Sequence, residues 1–282
     1  MSVSRFRSRW WPAVLVAAVA AAVAPFAVDF TAGAAPTAVT LPPAGAPFDY
    51  QINGGYTPAD GVRVVTRDRE DVPAEVPYNI CYVNAYQIQP EEIGEWDEDL
   101  LLQDADGEVI IDEEWDEALL DISTEEKRKA IAEKVNGWID GCADTEENGF
   151  RFQAVEPDNF DSHLRSGGQF GEEEAIAFAR LITDHAHEAG LAVGQKNGAE
   201  LSAERDRTGF DFAIAEQCGQ YTECGEYTEV YGDNVIVIEY SADGLESACD
   251  GFGDRLSIVQ RDKFVVTDTT DGYVRKTCTD VT

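Results

Sequence analysis

From Phe48 to Gln260 short apolar runs, several breaking off in charge or amide, alternate with longer helical or mixed segments. The runs are FDYQI from Phe48, VRVVT from Val62, YNICYVNA from Tyr78, ALLDI from Ala118, FQAVEP from Phe152, LAVGQ from Leu191, FDFAIAE from Phe210 and VIVIEY from Val235. A weaker one, SIVQ, begins at Ser257. Runs this apolar fit strands buried on both faces, the condition of a parallel sheet covered by helices. Between them, TEEKRKAIAEKVNGWIDGC opens on Thr124 with acids behind it and sets Ile131, Val135 and Ile139 near helical spacing. EEEAIAFARLITDHAHEAG starts with acids, carries an apolar stripe and stops at Gly190. Eight or nine strands alternating with helices predict a single-domain α/β fold, a closed (β/α)8 TIM barrel over residues 48–282. An open doubly wound sheet is the alternative. It lacks the expected GxGxxG or P-loop after a strand. No repeat or second domain is visible.

The first 34 residues read as a signal peptide: a basic start, MSVSRFRSR, an Ala-rich apolar stretch interrupted by Pro25, and small residues at Ala32–Ala34 for cleavage. A single membrane anchor is the competing reading, but the stretch is short and broken, so export and no membrane association after cleavage are expected. Residues 35–47 are a Pro/Ala-rich linker. Roughly 250 residues then remain, the typical length of one α/β barrel. Six cysteines, an even number in an exported chain, predict disulfides, with fifteen pairings open. Their wide spacing and only three histidines give no metal-site pattern. No metal or other cofactor is expected. The formal charge of −34 disfavours nucleic acid and anionic membranes and attracts cations. Solubility alone would account for it equally well.

Polar groups at the C-terminal ends of several different strands are the layout of an α/β-barrel active site. Here they end FDYQ, CYVNAYQIQ, LLDI, AVEPDN, VGQKN, AIAEQC and VIEY. Two carboxylates suffice for glycosidic cleavage, one protonating the leaving oxygen and the other attacking carbon or activating water. Asp158 and Glu216 are the candidates, each ending a strand with few local cations; Glu156 and Glu239 compete. Helix capping or ion pairing is the structural alternative for each. A Ser–His–Asp site has no GxSxG. His185 and His187, two apart on a helix, do not share a face and read as structural. DADGE at Asp104–Glu108 reads as a turn rather than a calcium loop. Tyr50, Tyr56, Tyr82, Tyr86, Trp115 and Tyr240 could stack on sugar rings or simply fill the core.

The ordered set FDYQINGGY, VVTRDRED, YNICYVNAYQIQP, VEPDNFDS, GLAVGQKN, FDFAIAEQC and IEY resembles glycoside hydrolase family 114, the endo-α-1,4-polygalactosaminidases, over most of the chain after the linker. The resemblance implies a secreted, cofactor-free barrel that cuts α-1,4-linked galactosamine polymers with the Asp of EPDN and the Glu of the later strand end, here Asp158 and Glu216. Gln217 stands where relatives often carry a second acid. The expected substrate-binding residues are Asp49, Tyr50, Gln51, Tyr82, Asn84, Asp121, Glu156, Asn159, Lys196, Glu239 and Tyr240. Asp49, Asp121, Glu156 and Glu239 are expected to line an acidic cleft and pair with substrate amines. Asp158 is expected to be the nucleophile and Glu216, after the apolar FAIA, the acid/base. Lys196 is expected to bond a sugar hydroxyl or pair with Glu156. A monomer acting on a cationic amino-sugar polysaccharide follows. The alternatives are a non-catalytic carbohydrate-binding barrel, a glycosidase for another amino-sugar polymer, or a deacetylase, for which three histidines are poor material.

Overall fold

The computed structural model describes residue 1 and residues 39–144 and 151–281. The chain divides into two units, Met1–Ala35 and Pro36–Thr282. The predicted signal peptide and the first residues of the predicted linker lie outside the described residues. The rest of that linker is fastened to the barrel: the Thr40 carbonyl accepts from Tyr78 Oη at 2.6 Å, and the Pro42 carbonyl from Asn234 Nδ2 at 3.0 Å.

Eight strands run parallel in chain order: β1 (Phe48–Gln51), β2 (Val64–Asp68), β3 (Tyr78–Asn84), β4 (Ala154–Asp158), β5 (Ala192–Lys196), β6 (Phe212–Glu216), β7 (Val235–Glu239) and β8 (Ser257–Arg261). A short β9 (Arg275–Lys276) pairs antiparallel with β8, and Arg275 Nη2 donates to the Phe48 carbonyl at 3.0 Å, bringing the last strand's side of the sheet to the first. The result is a nearly closed barrel, as the sequence predicts. Helices follow the later strands: α1 (Glu125–Ala143) before β4, α2 (Glu172–Glu188) before β5, α3 (Arg205–Thr208) before β6, α4 (Cys218–Tyr221) and α5 (Cys224–Tyr231) before β7, and α6 (Ala242–Phe252) before β8. The β1–β2 and β2–β3 connections contain no helix; Val62 and Ala74 cover Val65 on the outer face of β2 instead.

The two-residue period of the strands separates two cores. Phe48, Tyr50, Val64, Ile80, Ala154, Ala192, Phe212, Ile214, Ile236, Ile238 and Val259 fill the barrel. Their neighbours Cys81, Val155, Val193, Ala213, Ala215 and Val237 face the helices. The interior is tight where β5 meets β6: a Cβ on Gly194 would lie 2.9 Å from the Phe212 ring, so the small residue admits the large one.

One predicted barrel strand is misplaced. The ALLDI run belongs to a small antiparallel sheet inserted after β3, formed by Gln87–Ile88, Ile111–Asp112 and Glu117–Leu119. Ala118, Leu119, Leu120 and Ile122 are fully buried, but in the helix-side core. Burial makes the run apolar; it does not say which sheet it joins. Both long predicted helices form: Thr124 Oγ1 caps α1 through the Lys127 N–H at 3.2 Å, and the chain leaves α2 through Gly190 at φ +78°. Disulfides join Cys81–Cys142, Cys218–Cys224 and Cys249–Cys278, the first tying β3 to α1. His185 and His187 contact Asp140 and Asp211.

Candidate active site

Parity decides which strand-end groups reach the barrel mouth. On β4, Glu156 and Asp158 share the inward face with Ala154; on β5, Lys196 shares it with Ala192; on β6, Glu216 shares it with Phe212 and Ile214. These groups converge on one ammonium. Lys196 Nζ lies 3.1 Å from Asp158 Oδ1, 3.2 Å from Glu156 Oε1 and 3.4 Å from Glu216 Oε2, and donates to Tyr50 Oη at 3.2 Å. Tyr50 Oη donates to Glu156 Oε1 at 2.8 Å.

Each carboxylate at the mouth is further fixed. Asp158 Oδ2 accepts from Tyr82 Oη at 2.8 Å, and Oδ1 from the Asn159 N–H at 2.7 Å. Glu216 is gripped by Asn197: Nδ2 donates to Glu216 Oε2 at 2.9 Å, while Asn197 Oδ1 accepts the Glu216 N–H at 2.9 Å. Tyr240 Oη donates to the other oxygen, Glu216 Oε1. Asn159, Asn197 and Gln217, each immediately after its strand, adopt φ of +67°, +54° and +60°. Asn enters this left-handed region more readily than most residues, so the EPDN and QKN asparagines suit the turns that aim the charged groups. Gln217, with no such advantage, holds the same turn and donates its N–H to the Ile238 carbonyl at 2.7 Å.

The charges follow from these contacts. Burial pushes the Asp158 carboxyl up, but the Lys196 ammonium, the Tyr82 hydroxyl and the Asn159 N–H outweigh it and hold the group below its ordinary value. Burial pushes Glu156 up to about 7 against the pull of Lys196. Burial also disfavours the Lys196 ammonium, but Asp158, Glu216 and Glu156 keep it charged well above the usual lysine range. Glu117, on the inserted sheet, is pushed up to about 7 by burial, with the Asp158 charge adding to the effect.

Above this floor opens a cleft of about 770 Å³, lined by nine Asp or Glu residues against three Lys or Arg. Of the predicted site residues, Tyr82, Asp158, Asn159, Lys196, Glu216 and Tyr240 line it. Tyr50 and Glu156 are fully buried beneath it, and Asn84 is a buried support that accepts from Asn159 Nδ2 at 2.9 Å.

The expectation that Asp49, Asp121, Glu156 and Glu239 line the cleft is not met. Asp49 and Glu239 have the opposite strand parity and are fully buried. Asp49, with Gln51, points into a network at the β1 edge; Glu239 faces α4, where Oε1 accepts the Gly219 N–H at 2.7 Å. Asp121 is paired with Lys127 at 2.6 Å on the insert. The surroundings expected to be apolar at Glu216 are polar: Asn197, Lys196 and Tyr240. Sequence reading overlooked Glu117, Asn197 and the acidic insert stretch Asp112–Glu117. QKN gave the signal for Asn197 and DEEWDE for the insert; nothing in the sequence indicates that Glu117 reaches Asp158.

The family model of glycoside-hydrolase family GH114 matches residues 29–282. Aspergillus fumigatus Ega3, solved in complex with galactosamine, is similar in fold with a TM-score of 0.63, 21% identity, and coverage of 80% of this chain and 95% of that one. The glycoside hydrolase domain of PelA from Pseudomonas aeruginosa is similar with a TM-score of 0.52, 12% identity, and coverage of 81% and 97%. No curated protein matches the sequence.

Proposed function

The chain belongs to glycoside-hydrolase family GH114, and from that premise we propose that it is a secreted endo-hydrolase of α-1,4-linked galactosamine polymers, with Asp158 as nucleophile and Glu216 as acid/base. The observation that carries the reading is the convergence of Asp158 and Glu216 on Lys196 at the floor of an acidic cleft. Galactosamine bound to Ega3 and the cleft's excess of carboxylates both favour a cationic amino sugar. Three disulfides favour an oxidising compartment.

Asp158, held ionised, attacks the anomeric carbon as the bond to the leaving oxygen breaks, and Glu216 gives that oxygen its proton. A water then attacks the glycosyl ester; Glu216 takes the water's proton, and the Asp158–carbon bond breaks to free the sugar with its configuration retained. Because one ammonium nitrogen contacts both groups, the nearest Asp158 and Glu216 oxygens lie no more than about 6.5 Å apart, which favours the spacing of retaining enzymes over that of inverting ones. Glu117 is the competing proton donor, because it lines the same cleft and its carboxyl is pushed up to about 7.

The test is mass spectrometry of products from residues 35–282 acting on partly deacetylated α-1,4-galactosamine polymer, with Asp158→Asn, Glu216→Gln and Glu117→Gln alongside. Oligomers from wild type and Glu117→Gln, with none from the other two, are expected. Azide should rescue Asp158→Ala to an inverted glycosyl azide. An inverted glycosyl azide from Glu216→Ala instead would reverse the two roles. Loss in Glu117→Gln with activity kept in Glu216→Gln would move the proton to Glu117. Polymer binding without products from any chain would leave a carbohydrate-binding barrel.

A further inference from the structure

Trp115 is 44% exposed at the tip of the hairpin joining Ile111–Asp112 to Glu117–Leu119. The exposure does not come from a loose loop. Asp112 ties the tip together: its carbonyl accepts the Asp116 N–H at 2.8 Å, and Oδ1 accepts the Glu114 N–H at 3.0 Å. Its other oxygen, Oδ2, is braced by Arg165 Nε at 3.0 Å. The indole is thus held out toward solvent on the cleft wall. Its face is not bare. Lys263, two residues beyond β8, sets its ammonium 5.5 Å from the ring centroid and pairs with Glu114. Both charged side chains are about half exposed. Lys263 and Glu114 are far apart in the chain, and both line the cleft with Trp115.

An aromatic face beside a carboxylate is a standard receptor for an ammonium group. A protonated amino sugar offers two matching parts on one ring: C–H groups that stack on the indole and an ammonium for Glu114. We propose that Glu114 and Trp115 form an amino-sugar subsite on the cleft rim, occupied in the free protein by the chain's own Lys263 ammonium, which the substrate displaces. The proposal rests on the amino-sugar reading of the cleft and adds to it a named subsite and an internal competitor. An exposed ion pair contributes little net stability, so an incoming polymer with many ammonium groups can exchange for it.

The test is calorimetric titration of the Asp158→Asn protein, which keeps the cleft without turnover, with long α-1,4-galactosamine oligomers, either deacetylated or fully N-acetylated. Adding Trp115→Ala should weaken binding of the cationic oligomer by about tenfold. Adding Lys263→Met should strengthen it by about threefold to tenfold, with the gain confined to the cationic oligomer. Opposite shifts from two neighbours are not the signature of a damaged loop. Binding left unchanged by both substitutions, or weakened by Lys263→Met, overturns the subsite while leaving the hydrolase reading intact. Failure of the Asp158→Asn chain to bind the cationic oligomer at all overturns both.

Discussion

Two buried charged networks, one at the barrel mouth and one at the β1 edge, differ in a way that separates chemistry from architecture. At the mouth, three carboxylates share the Lys196 ammonium, and two of them, Asp158 and Glu216, reach the cleft. At the β1 edge the ratio is reversed. Asp49 lies 3.2 Å from Arg275 Nε and 3.8 Å from Arg261 Nη1, and also accepts from Gln51 Nε2 at 2.9 Å and Tyr56 Oη at 3.2 Å. Gln51 in turn accepts from Arg67 Nε at 3.0 Å, and Arg67 donates to the Val72 and Tyr56 carbonyls across the β2–β3 and β1–β2 connections. This second network stands where the barrel has no helices. Its cations and amides fasten loops and the β8–β9 hairpin to β1, and Asp49 does not reach the cleft. An excess of carboxylate over cation facing a cavity marks a site that can receive positive charge; an excess of guanidinium facing backbone carbonyls marks a fastening.

The comparison predicts different failures. Lys196→Met should lower kcat/KM by about a thousandfold or more, roughly 4 kcal/mol of transition-state stabilisation. The Lys196 charge helps hold Asp158 ionised, so the acidic limb of the pH–rate profile should move to higher pH. A profile that stays in place, with only protein stability reduced, would put Lys196 among the fastenings. Asp49→Asn leaves buried guanidinium groups poorly compensated and should cost about 3 kcal/mol in denaturant unfolding, with activity per folded molecule little changed. A selective rise in KM for the cationic polymer would return Asp49 to the substrate site.

The smallest effect is expected at Glu239, where burial pushes the carboxyl up to about 7 although two backbone N–H groups oppose it. The folded state holds a proton there that the unfolded chain releases near its ordinary value. The charged form is therefore disfavoured by folding, and stability falls as pH rises from about 4.5 to about 7. Glu239→Gln removes that charge and should raise the free energy of unfolding at pH 8 more than at pH 5, by about 1–3 kcal/mol. An equal change at both pH values would mean that the group is neutral throughout or charged throughout.

Much of this was legible in the chain because burial on both faces writes parallel strands as apolar runs, and because barrel strands carry their functional groups at one end. The same logic gave the order Asp158, Lys196, Glu216 at successive strand ends. It failed where a further rule already present in the sequence was left unused. Glu239 directly follows the inward Ile238, and Asp49 lies between the inward Phe48 and Tyr50, so neither can point into the barrel. ALLDI failed for another reason: an apolar run of strand length looks the same in the barrel and in an inserted sheet.

By itself the sequence determined the local terms: which runs are strands, where α1 and α2 begin and end, which face of each strand a residue takes, and which residues can hold the left-handed turns after β4 and β5. The tertiary structure alone decided that Lys196 touches three carboxylates, that Asn197 grips Glu216, that Glu117 approaches Asp158, and that Lys263 meets Trp115 and Glu114. The reason is physical. Strand period and turn preference act over a few neighbouring residues, whereas these contacts depend on how the strands curl into a barrel and on where the inserted hairpin comes to rest against it.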